Sequence, residues 1–339
     1  MHLTEADIRH LLSTSNPLDT AHLFAEAAAV RDKVYGRQVF VRGLIEVSNH
    51  CKNNCLYCGI RRDARGNQPG GGIARYRLST EQILDCCQTG HKLGLRTFVL
   101  QGGEDAWFTD ERLAAIVQQI KASFPDSAVT LSLGERGGES FARLRHAGAD
   151  RYLLRHETAN PAHYALLHPR EMSFDNRMQC LHQLRAEGYQ VGVGFMVGSP
   201  FQTIETLLDD LRFIASFKPE MVGIGPFIPA FGTPFANKKA GSVELTLRLI
   251  ALIRLICPHA LLPATTALGT QHPRGREMAL AAGANVIMPN LSPQSTRRLY
   301  SIYDNKLATQ SEAAESMTDI RRRIEAIGMT VPVDRGDYR

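Results

Sequence analysis

The sequence has no run of about eighteen or more apolar residues, which excludes an ordinary membrane-spanning helix. Its first residues, Met1 to Asp7, lack the basic start and apolar stretch of a secretory signal. No disulfide framework is evident: the cysteines number seven, are odd in count and are clustered, which points to a reducing cytoplasm. The net charge of +5 is small and scattered, so nucleic acid is not an expected partner. No Gly-Lys-Ser/Thr follows the glycine-rich stretch Pro69-Gly70-Gly71-Gly72, so that stretch is not a phosphate-binding loop. What remains is a chain of 339 residues with an ordinary apolar fraction of 44%, long enough to bury a sizeable core as one large domain or two smaller ones.

The first forty residues read as helices. Apolar residues at helical spacing run from Leu3 to Leu12 with Thr4 as N-cap, Asn16-Pro17-Leu18-Asp19 breaks the pattern, and an alanine-rich helix spans Thr20 to Val34. Beyond Val41 the sequence alternates. Short β-rich runs occur at Val41–Val47, Thr97–Gln101, Ala128–Leu133, Arg151–Arg155, Gln190–Val197, Met221–Ile228, Leu261–Leu268 and Asn285–Met288. Amphipathic helical stretches separate them: Thr80–Leu93, Thr109–Phe124, Glu139–His146, Ser173–Glu187, Gln202–Phe217, Ser242–Ile256 and Arg274–Ala282, with Pro293–Tyr303 after the last run. Eight strand-then-helix units predict an α/β fold, a complete (β/α)8 TIM barrel. An open doubly wound sheet would need a glycine fingerprint after its first strand, and a cysteine loop stands there instead. The expected organisation is an N-terminal helical extension over 1–40, the barrel over 41–305, and a C-terminal helical tail over 306–339 packed on the barrel.

Cys51, Cys55 and Cys58 lie in the loop after the first strand, in Cys-Lys-Asn-Asn-Cys-Leu-Tyr-Cys. Thiolates select zinc, copper(I) or iron–sulfur clusters. A structural zinc site with His50 as fourth ligand is the bland alternative, but such sites usually add a second Cys-x-x-Cys pair, and the sequence has none. A cubane normally takes four cysteines. Held by three, it would leave one iron open to a chelating amino and carboxylate pair. Barrel enzymes keep their chemistry at the C-terminal ends of the strands. Those positions carry Gly102-Gly103-Glu104, Gly134-Glu135-Arg136, Arg155-His156-Glu157, Gly198-Ser199-Pro200, Thr265-Thr266 and Asn290. Singly, most of these have plainer readings: a turn for the glycines, ion pairs for Glu157 and Arg177, core for Met196, strand propensity for Thr265 and Thr266.

The cysteine spacing with Gly-Gly-Glu after the second strand resembles the radical S-adenosylmethionine (SAM) enzymes. Leu-Arg-His-Glu-Thr-Ala-Asn-Pro, Met-Val-Gly-Ile-Gly-Pro-Phe-Ile-Pro and Pro-Ala-Thr-Thr-Ala-Leu-Gly-Thr narrow the resemblance to the iron-only (FeFe) hydrogenase maturases of the HydE type, from about Arg42 to Tyr303. That resemblance implies a 4Fe–4S cluster on Cys51, Cys55 and Cys58, with S-adenosyl-L-methionine on the open iron. It implies Tyr57 and Met196 against the adenine, Gly102, Gly103 and Glu104 at the methionine amino group, Glu157 at the ribose, and Arg177 at the methionine carboxylate. Thr130, Arg155, Met221, Thr265, Thr266 and Tyr303 match an inner substrate pocket. The implied function is SAM cleavage to a 5′-deoxyadenosyl radical during assembly of the diiron H-cluster, on a small-molecule or organometallic, cysteine-derived precursor. Other hydrogenase maturases and a flavodoxin- or ferredoxin-type electron donor would be the partners. A related radical SAM enzyme acting on a free amino acid (methylornithine-synthase-like or biotin-synthase-like), or a non-catalytic iron–sulfur or zinc protein, are the rivals. No cysteine follows Cys257, so a second cluster is not expected. Independently of the resemblance, Arg61, Arg62, Arg65, Arg75 and Arg77 form a basic rim that would steer an acidic donor to the cluster.

Overall fold

The computed structural model describes residues 3–66, 71–306 and 314–339. Six strands make a parallel sheet in sequential order: β2 (Gly43–Ser48), β3 (Thr97–Gly102), β4 (Ala128–Ser132), β5 (Arg151–Leu153), β6 (Gln190–Val193) and β8 (Met221–Val222). Closure runs through shorter contacts. Met221 bridges Leu261, and Pro263 bridges Val286 of β10 (Val286–Ile287); β10 then pairs in parallel with β1 (Phe40–Val41), and Leu44 bridges Asn290. The circle therefore has eight staves, the complete barrel that the alternation predicts. All six residues of β2 are buried, as expected for a parallel strand covered on both faces.

The staves are interrupted near their C-terminal ends. After β6 the chain resumes as β7 (Met196–Val197), which pairs with β9 (Gly225–Pro226), while Glu157 bridges Phe195. Gly194 sits at this break because a Cβ there would lie 1.9 Å from the Gly223 carbonyl oxygen. The predicted strands Gln190–Val197 and Met221–Ile228 are thus each two pieces, with Met196 and Gly225 on the outer pieces and Glu157 bridged to Phe195 beside them.

Other boundaries shift for local reasons. Asn16-Pro17 starts the second helix (Pro17–Tyr35) rather than breaking the pattern: Asn16 caps Leu18 N and Pro17 takes the first turn, where its missing N–H costs nothing. The same Asn-Pro signal at Asn160-Pro161 opens a helix over Pro161–Leu167 that periodicity alone had not marked. The predicted strand Leu261–Leu268 ends early, because Thr266–Gln271 is helical. Only Gln294–Arg297 of the predicted Pro293–Tyr303 helix forms, so Tyr303 lies on irregular chain. Residues 67–70, within the glycine-rich stretch, fall outside the described residues.

The two ends of the chain pack differently. Pro17–Tyr35 runs along Val243–Ile256 outside the barrel. After the helix Ala314–Ala326, the last residues seal the end of the barrel opposite the cysteine loop. There Thr97 Oγ1 donates to the Arg335 carbonyl at 2.7 Å, Arg151 Nη2 to Asp337 Oδ1 at 2.6 Å and Arg42 Nη2 to the Gly336 carbonyl at 3.0 Å. One end is closed and the other is left for chemistry.

Candidate functional site

A cavity of about 370 Å3 occupies the barrel, and its lining includes every site residue expected from the sequence. Cys51, Tyr57, Glu104, Glu157, Arg177 and Met196 belong to the outer lining by their position on the loops and outer strand pieces; Thr130, Arg155, Met221, Thr265, Thr266 and Tyr303 complete it within the barrel. Scattered over more than two hundred positions of sequence, these residues meet in one space.

The cysteine loop is fixed by its neighbours. Lys52 N donates to the Glu104 carbonyl at 2.9 Å, Leu56 N to the Leu167 carbonyl at 3.0 Å and Gly59 N to the Ile302 carbonyl at 3.0 Å. Gly103 is required by this packing, since a Cβ would stand 2.2 Å from the His50 carbonyl oxygen and 2.7 Å from Cys51 Cβ. Its smallness admits the cysteine loop. All three cysteines are free. Burial, with the neighbouring thiols adding to it, holds the Cys55 thiol well above its ordinary pKa, and burial pushes Cys58 up to about 12. Such thiols resist ionisation until a metal's charge reverses the penalty. Among the described residues no three His, Cys, Asp or Glu side chains converge as ligands to a single ion would. A cubane instead binds each cysteine at its own iron. His50 lines a second, outer concavity rather than the barrel cavity, so it does not complete a Cys3His set there. The donor set fits a polynuclear cluster.

Glu104 is held at both oxygens: Oε1 accepts from Glu135 N at 3.0 Å, and Oε2 pairs with Lys52 Nζ at 3.2 Å. Gly134, at φ +78°, makes room for it, because a Cβ would come within 2.0 Å of Glu104 Cγ. Arg177 is already partnered, donating through Nε to Glu135 Oε1 and through Nη1 to the Arg155 carbonyl, both at 2.6 Å. Any ligand carboxylate at Arg177 therefore shares the guanidinium with Glu135. Tyr57 O–H donates to His168 Nε2 at 3.2 Å, a direction set by His168 Nδ1–H donating to the Tyr164 carbonyl at 3.0 Å. Burial, reinforced by Arg177, lowers the His168 pKa to about 3, so the ring is neutral.

Glu157 takes the left-handed conformation, φ 64°, which non-glycine residues adopt at a cost. Its N–H donates to the Gly194 carbonyl at 3.0 Å. Behind it, fully buried His156 accepts from Gly194 N at 3.2 Å and faces Asp210 at 3.4 Å, while Asp210 Oδ1 accepts from Ala159 N at 2.6 Å. These contacts hold the turn that aims Glu157 into the cavity. Glu157 Oε2, Arg155 Nε and Nη2, Thr130 Oγ1 and Thr265 Oγ1 are buried and have no hydrogen-bond partner among the described residues. Thr265, a residue of the cavity lining, is the N-cap of Thr266–Gln271 but makes no side-chain capping bond.

Several site residues had no assigned role in the sequence reading. Glu135 binds Arg177, and Met172 Sδ lies 3.6 Å from Cys55 Sγ. On the first stave, Glu46 pairs with Lys306 and accepts from Asn290 Nδ2 at 2.9 Å, and Arg42 donates to Met221 Sδ at 2.8 Å. The signal for Glu46 and Arg42 was present: both are charges within an apolar run that must be buried on a parallel strand. The five arginines after the cysteines do not form a uniform rim. Arg61 is buried with Nε on Asn54 Oδ1 at 2.5 Å, Arg75 binds backbone carbonyls, and Arg77 pairs with Asp105 at 2.7 Å; Arg62 and Arg65 are exposed.

A cysteine-lined mouth on a complete parallel barrel, with a carboxylate and an arginine set around it, is the arrangement of a barrel enzyme able to hold a thiolate-bound cluster and a small polar cofactor. Residues 45–214 match the Radical SAM superfamily, and the chain belongs to that superfamily. Within it the chain belongs to the HydE family: it is 44% identical over 325 residues, 96% of its length and 91% of the relative's, to the FeFe hydrogenase maturase subunit HydE of Thermotoga maritima. The family implies a 4Fe–4S cluster and SAM. The chain is also 30% identical over 338 residues, 99% of its length and 92% of the relative's, to 3-methylornithine synthase of Methanosarcina barkeri. Among solved structures it is similar to methylornithine synthase PylB, with TM-score 0.86 at 30% identity over 98% of this chain and 95% of that one. The hydrogenase maturase HydG shares the fold, with TM-score 0.80 at 18% identity over 98% of this chain and 73% of that one.

Proposed function

We propose that this radical SAM enzyme acts in maturation of the diiron H-cluster of iron-only hydrogenase, with Cys51, Cys55 and Cys58 as the three protein ligands of its cluster. The chemistry a bound cluster supplies is one-electron reduction of the SAM sulfonium, giving methionine and a 5′-deoxyadenosyl radical. The protein binds, orients and excludes water. Glu104 and the backbone of Gly102 and Gly103 receive the methionine ammonium, Arg177 its carboxylate, Glu157 the ribose, and Tyr57 and Met196 the adenine. Arg155, Thr130, Thr265 and Thr266 hold a carboxylate-bearing substrate deeper in the barrel, with Met221 and Tyr303 as walls. The observation that carries this reading is the single cavity bringing the three thiols and these inner polar groups together. The substrate is a small organometallic, cysteine-derived precursor delivered by another maturase, and a flavodoxin- or ferredoxin-type protein reduces the cluster. The site of action is the cytoplasm; no helix among the described residues is long and apolar enough to cross a membrane. Exposed Arg65 is the arginine left to steer an acidic donor, since exposed Arg62 is paired with Asp63 at 3.1 Å.

Restored hydrogenase activity in a host lacking its own HydE tests this reading. A second reading, radical chemistry on a free amino acid, is favoured by the 30% identity to 3-methylornithine synthase over 99% of the chain. Formation of 3-methylornithine from a free amino acid by the reconstituted protein, without complementation of the maturase-deficient host, would establish that reading instead.

A further inference from the structure

Arg75 stands 17 residues beyond Cys58 and, rather than facing solvent as part of a basic rim, is turned onto backbone carbonyls. Its side chain reaches back to both ends of the cysteine loop. Nη1 donates to the carbonyl of Asn49, two residues before Cys51, and to that of Ile60 at 2.8 Å, two residues after Cys58. Nη2 donates to the Arg61 carbonyl at 2.6 Å and the Arg62 carbonyl at 3.2 Å. One guanidinium thus closes the loop as a clasp would, crossing from its entry to its exit.

The segment carrying Arg75 is itself anchored at the loop's entry. Asn49 Nδ2 donates to the Ala74 carbonyl and Asn49 Oδ1 accepts from Tyr76 N, both at 2.8 Å, and Leu78 N donates to the Val47 carbonyl at 2.8 Å. Arg77 provides the contrast. It lies two residues on and lines the same outer concavity as Arg75 and Cys51, but it is spent on Asp105 at 2.7 and 3.0 Å. Arg75 pairs with no carboxylate among the described residues, so its charge remains uncompensated beside the loop. A planar fork meets several acceptors at once, which an ammonium on a flexible stem does not reproduce. A nearby cation also favours the more negative, reduced form of a cluster.

We propose that Arg75 is a positioning residue for the iron–sulfur cluster: it clasps the two ends of the Cys51–Cys58 loop and its uncompensated charge raises the cluster's reduction potential. The inference rests on the reading of Cys51, Cys55 and Cys58 as cluster ligands. Its test uses the anaerobically reconstituted full chain as wild type, Arg75→Gln, Arg75→Lys and Arg77→Gln, measured for iron release to a ferrous chelator and for midpoint potential by EPR-monitored titration. Arg75→Gln is expected to release iron about tenfold faster, the consequence of losing charge-assisted hydrogen bonds, and to titrate at a more negative potential. Arg75→Lys should keep a potential near wild type while still releasing iron faster, separating charge from clasp. Arg77→Gln should match wild type in iron release, and its shift in potential, from the Asp105 carboxylate left without its partner, should be smaller than that of Arg75→Gln. Arg75→Gln or Arg75→Lys releasing iron at the wild-type rate overturns the clasp, and an unchanged potential in Arg75→Gln overturns the electrostatic part. An equal effect from Arg77→Gln overturns the assignment to Arg75. If Arg75→Gln does not fold, Arg75→Lys against wild type decides the clasp. Failure of the wild type itself to take up a cluster would instead refute the ligand assignment.

Discussion

Arg155 Nη2 lies 3.3 Å from Glu157 Oε2, yet neither atom has a hydrogen-bond partner among the described residues. The two groups are close enough to attract and too poorly aligned to satisfy each other. Leaving a buried polar group unmet costs about 1–3 kcal/mol, and Glu157 adds a left-handed backbone to that cost. Rule-breaking of this kind concentrates at functional sites. Unsatisfied groups facing one cavity define where a polar ligand belongs.

Thr265 allows that interpretation to be separated from stability. Its buried hydroxyl caps nothing and has no partner among the described residues. Thr265→Val keeps the shape and removes the unmet group, so thermal unfolding should show no loss and up to about 1 kcal/mol of gain. Turnover of the second substrate should fall about tenfold through one lost hydrogen bond to a charged group. SAM cleavage without that substrate should persist.

Gly134 tests the placement of Glu104. An alanine there would meet Glu104 Cγ at 2.0 Å and would occupy φ +78°. Gly134→Ala should destabilise the protein by about 1–3 kcal/mol from backbone strain alone. It should also weaken SAM binding measured calorimetrically on the cluster-loaded protein, by displacing the carboxylate. SAM affinity equal to wild type would separate Glu104 from the methionine end.

His168 gives the site a pH signature. Its folded-state pKa, lowered to about 3 by burial and then by Arg177, lies below the ordinary value of 6.5. The unfolded chain therefore binds the proton more readily, and the neutral ring's contribution is complete above about 6.5. As pH falls from there towards about 3, stability drops by up to about 1.4 kcal/mol per unit. Urea unfolding of wild type at pH 7 and pH 5 should show a larger loss than His168→Gln, which lacks the titrating ring. Equal losses would place the ring in a solvated environment.

The barrel was legible because parallel strands buried on both faces read as apolar runs and the helices between them as amphipathic ones. What was not legible depended on tertiary contact. Periodicity cannot reveal that Gly194 must yield to Gly223 and split a stave, nor that Thr266 begins a helix once β9 has been placed against Thr265. The cysteine spacing singled out the Cys51–Cys58 loop and the strand ends singled out residues that line the same cavity, so these residues were named before their geometry. Partnerships were hidden. Arg177, on the helix Phe174–Ala186, binds Glu135 on the loop after β4, and arginines that look like a solvent-facing rim in sequence prove to be spent on Asn54, Asp105 and backbone carbonyls. Glu46 and Arg42 were recoverable in principle, as charges in a strand that water cannot reach.

The most direct measurement is anaerobic reconstitution of the full chain with iron and sulfide, followed by dithionite and SAM, with the product resolved by chromatography and the reduced cluster by EPR. The expected result is 5′-deoxyadenosine together with an EPR spectrum that changes on SAM addition, both abolished in Cys51→Ala, Cys55→Ala or Cys58→Ala. A fully loaded, reducible cluster that gives no 5′-deoxyadenosine and the same spectrum with or without SAM would contradict the assignment of this cavity.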